Sequence, residues 1–427
     1  MDKFTSRETG LISEKHYKYP KILHYYNEIV RYWSKLNFII KKTLRSLNIQ
    51  SEYDQLGKAL YLYMTYRILW ENASNNSLYN ELNVSKEDLK IHQFLKKLRT
   101  FKWEQAIKGK SKIENLSLKE AIPTFFINHL RSVMSFKDIG KNIEYMNNIK
   151  NHTEFSVRIN TLNSTIEEIQ NSLKRDNVNF HIDQEIPEII HIPIDKREII
   201  SKSIRKGNLT IQDKGSVAVV NVLSPHPNEL ICDMCAAPGM KTSLIAQYTR
   251  NEAKIFASDF LLSRINEMKK ILHKLGVKGT FLLNTDSIQF PIRFEGYFDK
   301  VLLDAPCTGS GTFLSNPELK WRQNENFLHQ NVVLQEKLLK NALNLLKPCG
   351  ILVYSTCSLY PEEGELQILK FLKNLEPLEL PKWFSPSYRI DGSVIPGTVR
   401  LFPAQHHTQG FFIAKFKKKE IYNQSKR

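Results

Sequence analysis

From residue 20 to about residue 145, apolar side chains recur three and four positions apart, as at Leu60, Met64, Ile68 and Leu69 within KALYLYMTYRILW. No proline falls between Pro20 and Pro123, and only Gly57 and Gly109 interrupt that span. Such a period, free of breakers, predicts a helical bundle. The rhythm then shortens. In HTEFSVRINTLNSTIEEIQNSLKRDNVNFHI an alternating strand precedes Ser164-Thr165-Ile166-Glu167, the spacing of a capping box that opens an amphipathic helix. A second β-rich piece follows, so 149–206 reads as a small α+β module of βαβ type between a helical domain, 1–148, and a third domain, 207–420. A basic tail, 421–427, ends the chain.

From Gly207 onward strands and helices alternate. Strands are expected at ELICDM, AKIFASD, GTFLLNTD, FDKVLLDAP and GILVYSTC, with helices starting near Lys241, Ser263, Asn316 and Pro361. Short apolar strands separated by helices imply an α/β domain with a mostly parallel sheet covered on both faces. Ligands of such sheets sit at the carboxyl ends of the strands. Every polar cluster of chemical interest falls at one of those ends.

Composition changes the picture in two ways. A chain of 427 residues can bury a core without covalent staples, and it has only five cysteines. No signal-peptide pattern opens MDKFTSRETG and no apolar run is long enough to span a bilayer. A soluble, cytoplasmic protein with free thiols and no membrane partner is expected, and a monomer. Lysine and arginine number 61 against 44 aspartates and glutamates, a formal charge of +17. Residues 1–150 hold 26 basic and 15 acidic side chains, an imbalance that fits an appended nucleic-acid-binding region. A lysine-rich surface explains the charge equally well.

The chemistry is read strand end by strand end. The first strand runs into Asp233-Met234-Cys235-Ala236-Ala237-Pro238-Gly239-Met240-Lys241, where small residues let backbone amides approach a ligand at a helix start. Taken alone, such a turn is often structural. The second strand ends at Asp259, twenty residues past Gly239, the spacing of an acid that accepts from a ribose. Asp286 and Asp304 end the third and fourth. Three carboxylates repel a pyrophosphate, so S-adenosylmethionine is expected as cofactor rather than NAD. The fourth and fifth strands also deliver Cys307 and Cys357. Either thiol alone is as often a small hydrophobe, but two beside a cofactor pocket are candidate nucleophiles. Cys232 and Cys235 have metal-ligand spacing without a second ligand pair, so they read, like Cys349, as packing or turn residues, and no metal is expected. His406 and His407 read as surface or RNA-facing side chains.

DMCAAPGMKT, DAPCTGSGT and YSTCSLYPEE resemble the motifs of the NOP/Sun (RsmB-like) family of RNA cytosine-C5 methyltransferases. SVRINTLN, GNLTIQDKGS, NPELKW and RLFPAQHHTQGFF extend the resemblance over about 150–418. It implies a Rossmann-like class I methyltransferase sheet, preceded by an RRM-like RNA-binding module and by a helical region similar in length and character to a NusB-like domain. It also implies that Cys357 attacks cytosine C6, that Cys307 assists product release, and that Asp304 hydrogen-bonds the ring as negative charge builds toward N3. Cys235, Ala236, Ala237, Pro238, Gly239, Met240 and Lys241, with Asp259, Asp286 and Asp304, would hold S-adenosylmethionine. Arg158, Asn160 and Lys241 would face RNA, ribosomal RNA ahead of transfer RNA, with the target base unstacked.

Met240 departs from the family's second glycine and Gln409 from its acidic tail residue. Three rivals remain at this level. A non-catalytic RNA-binding assembly factor has no need of both thiols, a DNA cytosine methyltransferase would attack through Cys307, and a nicotinamide dehydrogenase lacks its G-x-G-x-x-G.

Overall fold

The computed structural model describes residues 20–49, 54–85, 88–148 and 152–420. The expected basic tail, 421–427, lies outside the described residues. The chain divides into two compact units.

The first unit runs to Asn128 and takes in Ser315–Trp321 from far downstream. Its helices include Pro20–Arg31, Trp33–Ser46, Gln55–Glu71, Asn75–Leu82, Leu89–Arg99 and Lys112–Lys119. Several starts are fixed by local side chains that accept otherwise orphaned amides. Asp54 accepts from Gly57, Ser74 from Ser77, and Ser111 with Glu114 forms a reciprocal capping box. Leu36, Ile40, Leu44, Met64, Phe94 and Leu98 form the centre of the core. Leu69, expected on the buried face, is exposed, because helix Gln55–Glu71 turns Tyr61, Leu62, Thr65 and Tyr66 inward beside Met64 and Ile68. Lys320 donates to the Arg31 carbonyl at 3.1 Å and the Trp321 indole to Val30 at 2.7 Å. The helix expected from Asn316 is a 3-10 turn, Pro317–Arg322, and the long helix Glu325–Leu345 starts later, where Asn324 caps the Phe327 amide. An available cap outranked the apolar pattern there.

The second unit contains the small module. Strands β1 (Glu154–Ile159), β2 (His181–Ile182), β3 (Ile189–Pro193) and β4 (Leu209–Ile211) form a sheet in the order β2-β3-β1-β4. All of its pairings are antiparallel, so the module is not a parallel βαβ unit. Val157, Ile159, Ile190 and Ile192 pack with Ile169, Leu173 and Ile200 from helices Ile166–Arg175 and Arg197–Arg205. The capping box sits one residue later than expected, on Thr165 and Glu168. Because β4 pairs with β1, the module's sheet extends past the division at 206 to Ile211.

Beyond it lies the sheet that positions the chemistry. Strands β5 (Leu230–Met234), β6 (Lys254–Asp259), β7 (Thr280–Asn284), β8 (Phe298–Asp304) and β9 (Leu346–Thr356) run parallel in the order β7-β6-β5-β8-β9. Strand Phe411–Lys418 then adds antiparallel to β9, and Thr398–Leu401 antiparallel to Phe411–Lys418. Successive residues of a strand face opposite sides. Accordingly Met234, Val301, Leu303, Leu352 and Tyr354 belong to one core, and Ile231, Ile255, Leu302 and Val353 to the other. This is the doubly covered, Rossmann-like sheet the pattern predicts. The strand order reverses beside β5, which opens a crevice at the carboxyl ends. Among the described residues no helix is long and apolar enough to cross a membrane.

Candidate active site

Parallel register pairs Asp304 of β8 with Ser355 of β9, so the loops leaving these two strands start side by side. They bring the sulfurs of Cys307 and Cys357 to 3.2 Å. The loops are tied at several points: Ala305 N–H donates to Ser355 O at 2.9 Å, Gly311 N–H to Cys357 O at 3.0 Å, and Gly410 N–H to Gly311 O at 2.8 Å. The hydrogen bond with Cys357, then burial, holds the Cys307 thiol well above the ordinary thiol range. Either sulfur can donate in this contact. Asp304 accepts from Ser355 Oγ and from Lys241 Nζ, each at 2.7 Å. Burial works against the Lys241 charge, but Asp304 outweighs it and raises the ammonium's pKa.

Next to this centre lies the turn after β5. Gly239 sits at φ 96°, and a Cβ there would lie 2.7 Å from Met268 Cγ, so only glycine fits. Met240 is the first residue of helix Met240–Tyr248, and the positive φ belongs to Gly239. The departure from a second glycine therefore strains nothing. Asp233 is buried at the end of β5. Its Oδ2 accepts from Thr242 Oγ1 at 2.6 Å, while Oδ1 has no hydrogen-bond partner among the described residues. Burial, reinforced by Asp304 and Asp259 and opposed by Thr242 and Lys241, pushes this carboxyl up to about 7. An orphaned, buried acceptor beside a glycine turn fits a ligand carrying a cationic amine.

Among the acids expected to bind cofactor, Asp259 is buried, accepts from the Leu261 amide at 3.1 Å and pairs with Arg264 at 2.9 Å. Asp286 is half-buried and accepts from the Ile288 amide at 2.9 Å. Cys232 is buried within β5, and Cys235 follows it at φ 59°. No group of three or more ligating side chains that could hold a metal occurs among the described residues.

The expectation that Arg158 and Asn160 face RNA is overturned. Both are buried: the Arg158 guanidinium donates to Gln247 Oε1 at 2.8 Å and Ser243 Oγ at 2.7 Å, and Asn160 donates to the carbonyls of Gly207 and Leu275. Burial lowers the Arg158 pKa to about 10. Arg158 fastens the small module to the helix that follows the glycine turn, and Asn160 fastens it to the Leu275 carbonyl. Lys241 is likewise committed, to Asp304 rather than to an outer surface. Of the two tail histidines, His407 is exposed and His406 is half-buried, accepting from the Phe402 amide at 2.8 Å. Both line a polar cleft of about 690 Å³ with His181, Asp183, Glu185 and Lys214; its walls include neither thiol and none of Asp233, Asp259, Asp286 and Asp304.

Several residues of the site escaped the sequence reading. Asp233 and Ser355 stand inside the quoted motifs, and only their position at strand ends could have singled them out. Glu363, which accepts from the Thr308 amide and hydroxyl, carried no spacing signal beyond its place in Pro361-Glu362-Glu363.

Residues 220–417 match the family described as 16S rRNA methyltransferase RsmB/F. A Synechocystis protein named probable ribosomal RNA small subunit methyltransferase B is 38% identical over 219 residues, 50% of this chain and 48% of that protein. The tRNA (cytosine(49)-C(5))-methyltransferase of Pyrococcus abyssi is 35% identical over 286 residues, 62% of this chain and 88% of that one. The crystal structure of PH0851 matches with a TM-score of 0.77 at 29% identity, covering 93% of this chain and 89% of that one. The chain spans about half the length of the Synechocystis relative, and less of the mouse 28S rRNA (cytosine-C(5))-methyltransferase, at 28%.

Proposed function

Since this chain belongs to the RsmB/F, or NOP/Sun, family of S-adenosylmethionine-dependent RNA cytosine-C5 methyltransferases, we propose that it methylates C5 of a cytosine in RNA through a covalent adduct to Cys357. The observation that carries the reading is the convergence of two thiols at 3.2 Å beside the Lys241–Asp304 pair. Cytosine C5 is a weak nucleophile. A bond from Cys357 sulfur to C6 pushes the C5–C6 π electrons onto C5, which can then take an electrophile. Bound S-adenosylmethionine supplies that electrophile, a methyl group on a sulfonium. Loss of the C5 proton and expulsion of the Cys357 thiolate restore the double bond, and Cys307, one sulfur contact away, assists this step.

Asp304 keeps its expected part as a hydrogen-bonding partner of the ring. Its two oxygens accept from Ser355 and Lys241, so it is an acceptor suited to the exocyclic amine of cytosine. Lys241 is then the group that stabilises negative charge spreading toward N3. On the cofactor side, Gly239 lets the turn close against Met268, and Asp233 Oδ1 is the acceptor assigned to the ligand's amine.

Ribosomal RNA is the substrate class we favour, because a helical unit precedes the catalytic region and the matching family model is described as acting on 16S rRNA. Transfer RNA is the second reading. The Pyrococcus abyssi relative, covered over 88% of its length, is named for it. RNA flanking the target is assigned to the helical unit, in place of Arg158 and Asn160. Incubation with labelled S-adenosylmethionine and separate ribosomal and transfer RNA fractions tests the reading, followed by bisulfite mapping of the labelled species. No label in either fraction would leave the non-catalytic assembly factor as the better account.

A further inference from the structure

Residues on both sides of Cys307 are held by a single buried carboxylate and its neighbours. Glu363 is fully buried; its Oε1 accepts from the Thr308 amide at 2.9 Å and from Gln335 Nε2 at 2.9 Å, and its Oε2 accepts from Thr308 Oγ1 at 2.5 Å. The same Gln335 nitrogen donates to Pro306 O at 2.8 Å, and Gln323 donates to Thr308 O at 3.1 Å. Glu363 also grips the other thiol's strand through its backbone: its carbonyl accepts from Tyr354 Oη at 2.8 Å and Thr356 Oγ1 at 3.2 Å. Ser358, next to Cys357, closes the bridge through Ser310 Oγ at 3.0 Å.

None of these contacts gives the carboxylate a cation. Every one of its side-chain partners above is an N–H or O–H donor, which suits an ionised group and wastes a protonated one. The charged groups around the sulfurs are arranged asymmetrically. Lys241 acts on Cys357, with Asp304 and Asp233 beyond it, whereas Glu363 acts on Cys307. Arg400, near Tyr354, is neutralised by its own buried partner Glu365.

We propose that Glu363 is a positioning residue for the thiol pair: it clamps the Cys307 loop against the strand carrying Cys357 and places a negative charge on the Cys307 side, so that Cys357 is the sulfur that gives up its proton. The proposal rests on the cytosine-C5 reading for its purpose, but not for its test. With the proton kept on Cys307, the nucleophile is chosen before RNA arrives. Burial raises the Glu363 pKa, and four hydrogen bonds, from Ser358, the Thr308 hydroxyl and amide, and Gln335, work to hold it ionised.

The experiment measures iodoacetamide modification of each cysteine against pH by peptide mapping, on the full chain without RNA or cofactor. Wild-type protein is expected to lose Cys357 first, about tenfold faster than Cys307 near neutral pH, since one pKa unit of separation is a tenfold difference in thiolate fraction. E363Q is expected to narrow that ratio to about threefold or less by speeding Cys307, while E363D, which keeps the charge, retains most of it. A merely structural role for Glu363 would change unfolding without changing the ratio. Equal rates at the two sulfurs in wild type overturn the proposal, whether or not E363Q folds. So does an unchanged ratio in a folded E363Q. Selective Cys357 modification in a protein that methylates no RNA would sink the preceding functional reading and leave this one standing.

Discussion

Gly311 and Gly410 meet backbone to backbone: Gly410 N–H donates to Gly311 O at 2.8 Å, and a Cβ on Gly311 would lie 2.4 Å from Gly410 O. The contact locks the loop after Cys307 to the segment that precedes the strand Phe411–Lys418. A methyl group on Gly311 has only backbone to displace, so G311A is expected to destabilise by ~1–3 kcal/mol. Urea unfolding checks this, and methyl transfer should fall with it because the Cys307 loop shifts. A G311A protein with wild-type midpoint and activity would show that the contact is dispensable.

The two thiols are separable by substitution. C357A is expected to abolish methyl transfer and form no denaturant-resistant protein–RNA complex. C307A keeps the nucleophile but loses help in release, so such a complex should accumulate on a denaturing gel. The opposite pattern would make Cys307 the nucleophile.

Asp233 gives the stability of the ligand-free protein a pH dependence. Its carboxyl is raised from an ordinary value of 3.8 to about 7, chiefly by burial. Between those values the folded protein holds a proton that the unfolded chain has released. Stability should therefore fall as pH rises through this window and level off above about 7, a loss on the order of 4 kcal/mol. D233N cannot ionise and should flatten the slope, gaining stability over wild type at pH 8 more than at pH 5. Parallel slopes in urea titrations of the two proteins would rule the assignment out.

Arg400 and Glu365 form a fully buried bidentate pair, at 2.7 Å and 2.6 Å, and Arg400 also donates to Ser358 O and Tyr360 O just beyond Cys357. R400M strands a buried carboxylate and is expected to cost about 3–5 kcal/mol. The R400M/E365L double variant should cost less than the two single changes summed, which a denaturant double-mutant cycle measures. Additive costs would mean that the pair is not coupled.

Much of this architecture is legible in the chain because short-range physics dictates it. The five parallel strands fall where continuous apolar runs place them, and Cys307 and Cys357 sit at strand ends because each run stops at a polar knot. Long-range packing is what the pattern hides. Arg158 alternates on its strand like an outward-facing cation, yet the face it occupies is covered by helix Met240–Tyr248, whose Ser243 and Gln247 accept its protons. Nothing near residue 158 announces a partner 85 positions away. Glu363 was missed for a similar reason. An acid after a proline reads as the first turn of a helix, and only the fold shows that it points inward at the Cys307 loop. The helix start expected near Asn316 falls at Asn324 instead, whose side chain accepts from the Phe327 amide.

The helical unit is finished by residues that lie far along the chain: the indole of Trp321 and the ammonium of Lys320 reach carbonyls 291 and 289 positions upstream. On a translating ribosome, at roughly 5–20 residues per second, those carbonyls wait on the order of 15–60 seconds for their donors to be made. During that interval the nascent amino-terminal portion lacks the two donors that complete it. Chaperone occupancy and protease sensitivity of stalled chains should change when synthesis passes this late-arriving peg.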